Sequence, residues 1–330
     1  MIKAGIAGLG RWGQNLVSSV QGKSGSISFT AGAVRHPDKV ADYAAENGLT
    51  LFNSYESMLA EGDIDAVVLA TPHSLHADQM LAAAAAGKHI FCEKPFSLNK
   101  VDAERAIAAA TAAGVQIAVG HCRRFHPAIG ELRNRLAAGA LGTILHVEAT
   151  ESVPAGLLLP PGDWHLSREE WPAGGMTPLG IHLVDGMVDL FGNVASVYCH
   201  SVHRAVDADV DDTTSVLLQF DNGMTGYIAA LVAARPDLRF TVHGTGAAVV
   251  ISDRSYNHLD ILPFEGEPES LGFGDYDMES DALTAELEAF ADAVEGRAPY
   301  PIPHDQTVHV VAVLEAIIRS AETKAPVAVC

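Results

Sequence analysis

Three short stretches hold residues whose types and spacing could do chemistry. Gly8-Leu9-Gly10-Arg11-Trp12-Gly13 is a GxGxxG that follows the apolar run Lys3 to Ala7 and opens a helical pattern from Arg11 to Val20. In that setting the first glycine permits a tight turn and the second lets a pyrophosphate approach the backbone. The third lets helix and strand pack closely, with the helix amides aimed at the phosphates. Glu93-Lys94-Pro95 stands at the end of the apolar run His89-Ile90-Phe91-Cys92. Charges at the mouth of a buried strand are costly unless they are paired or used. Gly180-Ile181-His182 puts an imidazole at the head of an apolar helical pattern. Imidazole suits proton transfer because its pKa lies near working pH; a satisfied core histidine is the plainer reading of such a residue.

The end of the second strand selects the cofactor. An acidic residue there would accept hydrogen bonds from an adenosine ribose. Here the run is Gly32-Ala33-Val34-Arg35-His36-Pro37-Asp38, with Val34 where the acid would stand and Arg35 next. An arginine suits a 2′-phosphate through charge-assisted hydrogen bonds. The expectation is NADP, with NAD as the alternative if Arg35 is only a solvated loop charge.

The elements that must position these residues follow a clear order. Over the first 120 residues strands at about 3–7, 27–34, 66–70, 89–92 and 115–120 alternate with helices at about 11–20, 39–47, 55–60, 76–86 and 100–113. That alternation predicts a parallel, doubly wound sheet. Thr71-Pro72-His73 then lies at the C-terminal edge of the sheet, where such folds bind ligands. Beyond residue 121 strand-like runs at 144–151, 195–203, 214–220, 224–230, 239–243 and 247–252 follow one another with short turns. They predict an antiparallel meander, interrupted by one helix over 182–191. Two helices close the chain, the first with Leu283, Leu287, Phe290 and Val294 on one face and the second over about 305–322. The predicted domains are 1–121, a Rossmann dinucleotide-binding domain, and 122–330, an α+β substrate and oligomerisation domain.

Composition narrows the class. The chain has 330 residues and a formal net charge of -20. Such a balance argues against nucleic acid and against an anionic membrane surface as partners. No run of apolar residues is long enough to span a bilayer, and the N-terminus lacks a signal-peptide pattern, so the expected location is the cytoplasm. The four cysteines, Cys92, Cys122, Cys199 and Cys330, are widely spaced and suggest neither a disulfide framework nor a zinc ribbon. The fifteen histidines include no HExxH, and His73 and His76 lack carboxylate or cysteine company, so no metal is expected.

Several stretches together resemble the Gfo/Idh/MocA oxidoreductase family, the glucose-fructose oxidoreductase and inositol dehydrogenase group. They are Gly8 to Gly13, ATPHSLHAD (70–78), AGKHIFCEKP (86–95), VGHCRRFHPA (119–128), GGMTPLGIHLVD (174–185) and the tail from Pro299. The resemblance spans nearly the whole chain. It implies a Rossmann domain followed by an open, mainly antiparallel sheet, with the last helix returning toward the N-terminal domain. It also implies a homodimer or homotetramer formed through that sheet. The lysine of the EKP motif would face nicotinamide and substrate, so Lys94 takes that role. An ammonium there can stabilise negative charge developing on a reacting oxygen. Glu93 would touch the cofactor's ribose or amide end, or pair with Lys94, and Pro95 would hold the turn, as a cis bond in one version. Thr71 and Pro72 would lie beside the cofactor and His76 near the nicotinamide ribose, unless His76 caps its helix. His182 matches the catalytic histidine. Arg123 and Arg124 match a basic pair, Arg123 for substrate and Arg124 for cofactor, unless they are solvated or structural arginines. Trp164 and His165 lie where relatives place a substrate-facing Trp-Arg, but the arginine is missing.

One departure matters. Many relatives carry an aspartate four residues before the catalytic histidine, and this chain has Pro178 there. Asp185, three residues after His182, would share its face on a helix and could orient the histidine, bind substrate or pack. The proton path is thereby left between Lys94 and His182. The expected activity is hydride transfer to or from a carbinol carbon of a sugar, polyol or related compound. The alternatives are an enzyme that retains NAD and cleaves a glycosidic bond by transient oxidation, and a non-catalytic sensor of dinucleotide or sugar.

Overall fold

The computed structural model describes all 330 residues. Along the first third of the chain lie β1 (Ile2–Ala7), α1 (Arg11–Val20), β2 (Ile27–Ala33), α2 (Ala41–Asn47), β3 (Thr50–Phe52), α3 (Tyr55–Glu61) and β4 (Ala66–Leu69). They are followed by α4 (His76–Ala85), β5 (His89–Glu93), α5 (Lys100–Ala113) and β6 (Ile117–Gly120). The six strands form one parallel sheet in the order β3-β2-β1-β4-β5-β6. Every residue of β4 is buried, as an apolar strand covered on both faces requires. Side chains start the helices. Ser54 accepts from Ser57 N ahead of α3, and Asn99 accepts from Asp102 N ahead of α5. The strand order reverses between β1 and β4, which opens a crevice at their C-terminal ends.

The later elements are α6 (Pro127–Ala137), β7 (Ile144–Ser152), α7 (Ala155–Leu158), α8 (Gly180–Phe191), β8 (Val194–Val202), β9 (Thr213–Phe220) and β10 (Thr225–Leu231). Then come β11 (Asp237–Gly244), β12 (Ala247–Ile251), β13 (His258–Pro263), β14 (Glu269–Gly272), α9 (Asp281–Val294), α10 (His304–Thr323) and β15 (Val327–Ala328). Nine strands form a mixed, mostly antiparallel sheet in the order β14-β13-β12-β11-β7-β10-β9-β8-β15. This corrects the expected meander at its centre. β7 lies between β10 and β11, parallel to the first and antiparallel to the second. The link after β10 crosses the end of β7, where Val153 N donates to Leu231 O and Ala234 N donates to Val153 O. α8 covers this centre, packing on β7 and β10 and burying Ile181, Val184 and Val188.

Backbone contacts divide the chain into two compact units. One is Met1–Cys122 with Asp277–Val308; the other is Arg123–Tyr276 with His309–Cys330. The first break falls one residue beyond the expected 121/122 boundary, but a second domain running uninterrupted from 122 to 330 is not what forms. The physical reason is the apolar stripe of α9. Leu283, Leu287 and Phe290 are fully buried, α9 packs on α1, and Phe290 meets Phe91 edge-on at 5.6 Å. Thr284 Oγ1 also donates to Ser19 O at 2.9 Å. No helix is long and apolar enough to cross a membrane.

Candidate active site

In the first unit the glycine loop sits at the end of β1, on the crevice. Gly8 has φ +94, and a Cβ there would lie 2.4 Å from Ala70 O. A Cβ on Gly13 would lie 1.9 Å from Gly8 O, so the first turn of α1 closes on the loop only without a side chain. Gly10 differs, since a Cβ there would meet nothing within 4 Å. That open space at the head of a helix with no acidic residue in its first turn fits a dinucleotide pyrophosphate. Arg11 is exposed at the same place, 3.4 Å from Glu279. At the end of β2, Ala33 O accepts from Gly8 N at 3.1 Å, so strand end and loop are tied together. Arg35, two residues on, is exposed, and no ion pair engages it.

Beyond β4, Thr71 Oγ1 donates to Gln79 Oε1 at 2.5 Å. His76 is fully buried. Its Nδ1 lies 2.9 Å from Pro95 O and its Nε2 3.1 Å from Thr71 O. The ring pins the loop after β4 to the loop after β5. With no exposed surface it has nothing to offer a ribose, so the expected cofactor contact is corrected to a positioning role. Nor does it cap α4 with its side chain.

Glu93 is the last residue of β5 and is buried; Lys94 beside it is half-buried, and the Lys94–Pro95 bond is cis. Glu93 Oε2 accepts from Lys94 N at 3.2 Å, whereas Oε1 is buried without a hydrogen-bond partner. Burial pushes this carboxyl up from 4.5 to about 6, against the pull of the Lys94 charge and the Trp12 indole. The indole N–H faces the carboxyl without forming a close hydrogen bond. Gly120 closes the far side, where a Cβ would lie 3.0 Å from Oε1.

In the second unit His182 and Asp185 share one face of α8 and are buried. Beside them lies a small cavity of about 10 Å³, walled by Arg123, Arg124, His182, Asp185, Phe240 and Tyr256 among others. Arg124 is buried and donates to Asp185 through Nε at 2.9 Å and Nη2 at 2.6 Å, and to Asp189 through Nη1 at 3.1 Å. Arg133 completes the network on Asp189 at 2.6 Å. Arg124 is held by these carboxylates and Asp185, 1% exposed, is its partner, which are the structural arginine and the packing aspartate that the sequence left open. Arg123 makes a two-pronged pair with the fully buried Glu151, at 2.6 and 2.7 Å, and Nη1 donates to Tyr256 Oη at 3.2 Å.

Trp164 and His165 are half-buried and stacked, with ring centroids 3.5 Å apart. Asp163 holds His165 at both Nδ1, 2.5 Å, and the backbone N, 3.1 Å. No cluster of three or more His, Cys, Asp or Glu side chains has the makings of a metal site.

Tyr256, Glu151 and His126 belong to this second cluster and were missed in the sequence. Tyr256 is buried at φ +58, a conformation unusual for an aromatic residue, in a turn that Asp253, Ser255 and Asn257 mark in the sequence. His126 caps α6, its Nδ1 accepting from Ala128 N at 3.0 Å, which the following Pro127 at the first helical position could have signalled. Burial pulls its imidazole below the ordinary range, which keeps Nδ1 available as an acceptor.

Two family models match consecutive parts of the chain. Residues 2–121 match an oxidoreductase family with an NAD-binding Rossmann fold, and residues 129–250 match the GFO/IDH/MocA C-terminal domain. The 1,5-anhydro-D-fructose reductase of Ensifer adhaerens is 27% identical, over 96% of this chain and 97% of its own. The inositol 2-dehydrogenase of Rhizobium meliloti (strain 1021) is 27% identical, over 99% of each chain. In fold, the WlbA dehydrogenase from Bordetella pertussis, solved in complex with NADH and UDP-GlcNAcA, superposes with a TM-score of 0.89 at 24% identity, covering 100% of this chain and 98% of that one. With both domain models matched in order on a 3-2-1-4-5-6 parallel sheet and a mixed nine-stranded sheet, the chain belongs to the Gfo/Idh/MocA oxidoreductase family.

Proposed function

We infer that the protein is a nicotinamide-dependent oxidoreductase that moves a hydride to or from a carbinol carbon of a sugar or polyol. The observation that carries this is the open cradle at Gly10, on the crevice that also receives the ends of β4 and β5. The relatives' names, reductase and dehydrogenase, support net hydride transfer over cofactor-retaining cleavage or ligand sensing. A bound nicotinamide ring would supply the hydride chemistry.

The chain's own residues supply binding, orientation and proton handling. Gly8, Gly10 and Gly13 shape the phosphate cradle, with Arg11 and Trp12 in the same loop and Thr71 and Pro72 along the crevice. Arg35 favours NADP by offering an unengaged guanidinium to a 2′-phosphate. Glu93 Oε1, a buried acceptor, suits a hydroxyl or amide donor of the cofactor. Lys94 hydrogen-bonds the reacting oxygen and stabilises its developing charge, and His182 carries the proton. The Trp164–His165 stack offers a flat apolar face with polar edges, which suits a polyhydroxylated ring. Arg123 is a candidate substrate contact, while Arg124 and Asp185 hold the α8 face that bears His182. The wide mixed sheet is the expected surface for a homodimer or homotetramer, and the cytoplasm is the expected location.

The test is nicotinamide absorbance with purified protein over sugars, inositols and sugar lactones, with NAD and NADP in parallel. Turnover that disappears in Lys94→Ala while cofactor binding persists is the expected result. Near-normal turnover in that variant rejects the role of Lys94.

A further inference from the structure

The sheet itself assigns the two halves of a dinucleotide to its two sides. In the order 3-2-1-4-5-6 the pyrophosphate crosses at the loop after β1 and the adenosine half lies toward β2, so the nicotinamide half lies toward β4 and β5. β5 ends at Glu93, one residue beyond the Leu69–Cys92 pair that joins it to β4, and Lys94 follows. An acid and a base therefore stand at the nicotinamide end of the crevice.

The nicotinamide ring is cationic when oxidised and neutral when reduced. Beside an ammonium alone, the cationic form is repelled. Glu93 sets this balance. It is 5% exposed, and its Oε1 is buried without a hydrogen-bond partner. The groups that face it are Lys94, through its charge and its N–H, the uncharged Trp12 indole from α1, the Cys92 thiol on β5 and, at the end of β6, Gly120, which has no side chain. Burial, and then the Glu93 charge, push the Cys92 thiol well above its usual range, so it stays neutral. A carboxylate in such a place is poorly screened, and its field reaches the crevice without a contact.

We propose that the Glu93 carboxylate makes the site prefer oxidised over reduced nicotinamide, by supplying the negative charge that lets a cationic ring lie beside the Lys94 ammonium; this rests on the nicotinamide-dependent function inferred above. On the enzyme the carboxylate thereby draws hydride transfer toward oxidised cofactor and alcohol, the direction of carbonyl reduction, while the overall equilibrium in solution is untouched. The preference is lost when Glu93 is protonated. Its carboxyl titrates at about 6, so the preference grows as pH rises through that value.

The test is equilibrium binding of NAD+ and NADH, by calorimetry, to the protein and to Glu93→Gln between about pH 5.5 and 7.5. The NAD pair serves the pH series because it lacks the 2′-phosphate, which itself titrates near about 6; NADP+ and NADPH are compared at the upper pH alone. Over this range the ionised fraction of Glu93 rises from about a quarter to nearly all, so NAD+ affinity is expected to rise about fourfold while NADH affinity stays within about twofold. Gln keeps the shape and an acceptor oxygen and removes the charge. It is expected to weaken NAD+ about tenfold at the upper pH, to leave NADH within about twofold and to flatten the pH series. Equal losses for both forms overturn the proposal, since a merely structural role gives that result. An oxidised-to-reduced affinity ratio that stays constant with pH in the unaltered protein overturns it as well. Both failures leave the nicotinamide reading standing; binding of none of the four dinucleotides overturns that reading and this proposal with it.

Discussion

Replacing Glu93 by Gln should stabilise the protein while damaging its function, and the two effects have one origin. The carboxyl is buried, with one oxygen held only by Lys94 N and the other without a partner. Its pKa rises from 4.5 to about 6 because burial disfavours the charged form more than Lys94 and Trp12 favour it. At about 1.36 kcal/mol per pH unit, that rise makes the ionised carboxylate cost about 2 kcal/mol of folding free energy. The sign follows from proton counts. Between about pH 4.5 and 6 the folded chain holds a proton that the unfolded chain has released, so stability falls as pH rises through this window and stays lowered above it. Gln has the same shape and accepts the same backbone hydrogen bond without the charge. Urea unfolding of the cofactor-free protein and of Glu93→Gln, run side by side from acid to neutral pH, isolates the group. The stability difference should be near zero at the acid end and grow to about 2 kcal/mol in favour of Gln at neutral pH. A difference that stays flat with pH refutes the reasoning. The same variant should bind cofactor more weakly, read by fluorescence titration.

Three further outcomes follow from the same geometry. Gly10→Ala should leave stability within about 0.5 kcal/mol yet weaken cofactor binding, whereas Gly13→Ala should yield little folded protein because its Cβ would lie 1.9 Å from Gly8 O; circular dichroism and cofactor titration separate the two. Arg35→Ala should lower affinity for NADP by about tenfold or more and leave NAD binding unchanged, by calorimetry; equal losses for both cofactors would remove Arg35 from selectivity. Arg124→Ala should cost about 3–5 kcal/mol in urea unfolding because it strands the buried Asp185 carboxylate, while the paired change of Arg124→Met with Asp185→Leu should cost much less.

Local rules read the first unit well. The helices Arg11–Val20 and Lys100–Ala113 begin and end where their apolar spacing and flanking glycines place them. What escaped reading was in part short or charged elements and in part non-local pairing. β3 is only three residues long, and α6 hid behind the charges of Arg133 and Arg135. The insertion of β7 between β10 and β11 depends on pairing across some eighty residues, which no window of sequence contains. Among the site residues, the glycine loop carried its role in its spacing. His76 and Arg124 were read as ligand contacts because a sequence shows a charge or a ring but not the partner that occupies it. Pro95 O and Thr71 O occupy His76, and Asp185 and Asp189 occupy Arg124. Tyr256 sits in a turn that Asp253 closes and the sequence marks, but its contact with Arg123, more than 130 residues earlier, is in no local window.

The interleaving of the two units sets an order on how the protein can be made. The parallel sheet is complete in sequence by residue 120, but α9, which seats Phe290 on Phe91 and Thr284 on Ser19, is translated more than 150 residues later. A nascent chain stopped at Cys122 therefore lacks the helix that seals one side of its sheet and leaves that apolar surface to water. The cofactor-binding half is begun first on the ribosome and finished near the end, with the whole nine-stranded sheet, save β15, synthesised in between as an insertion.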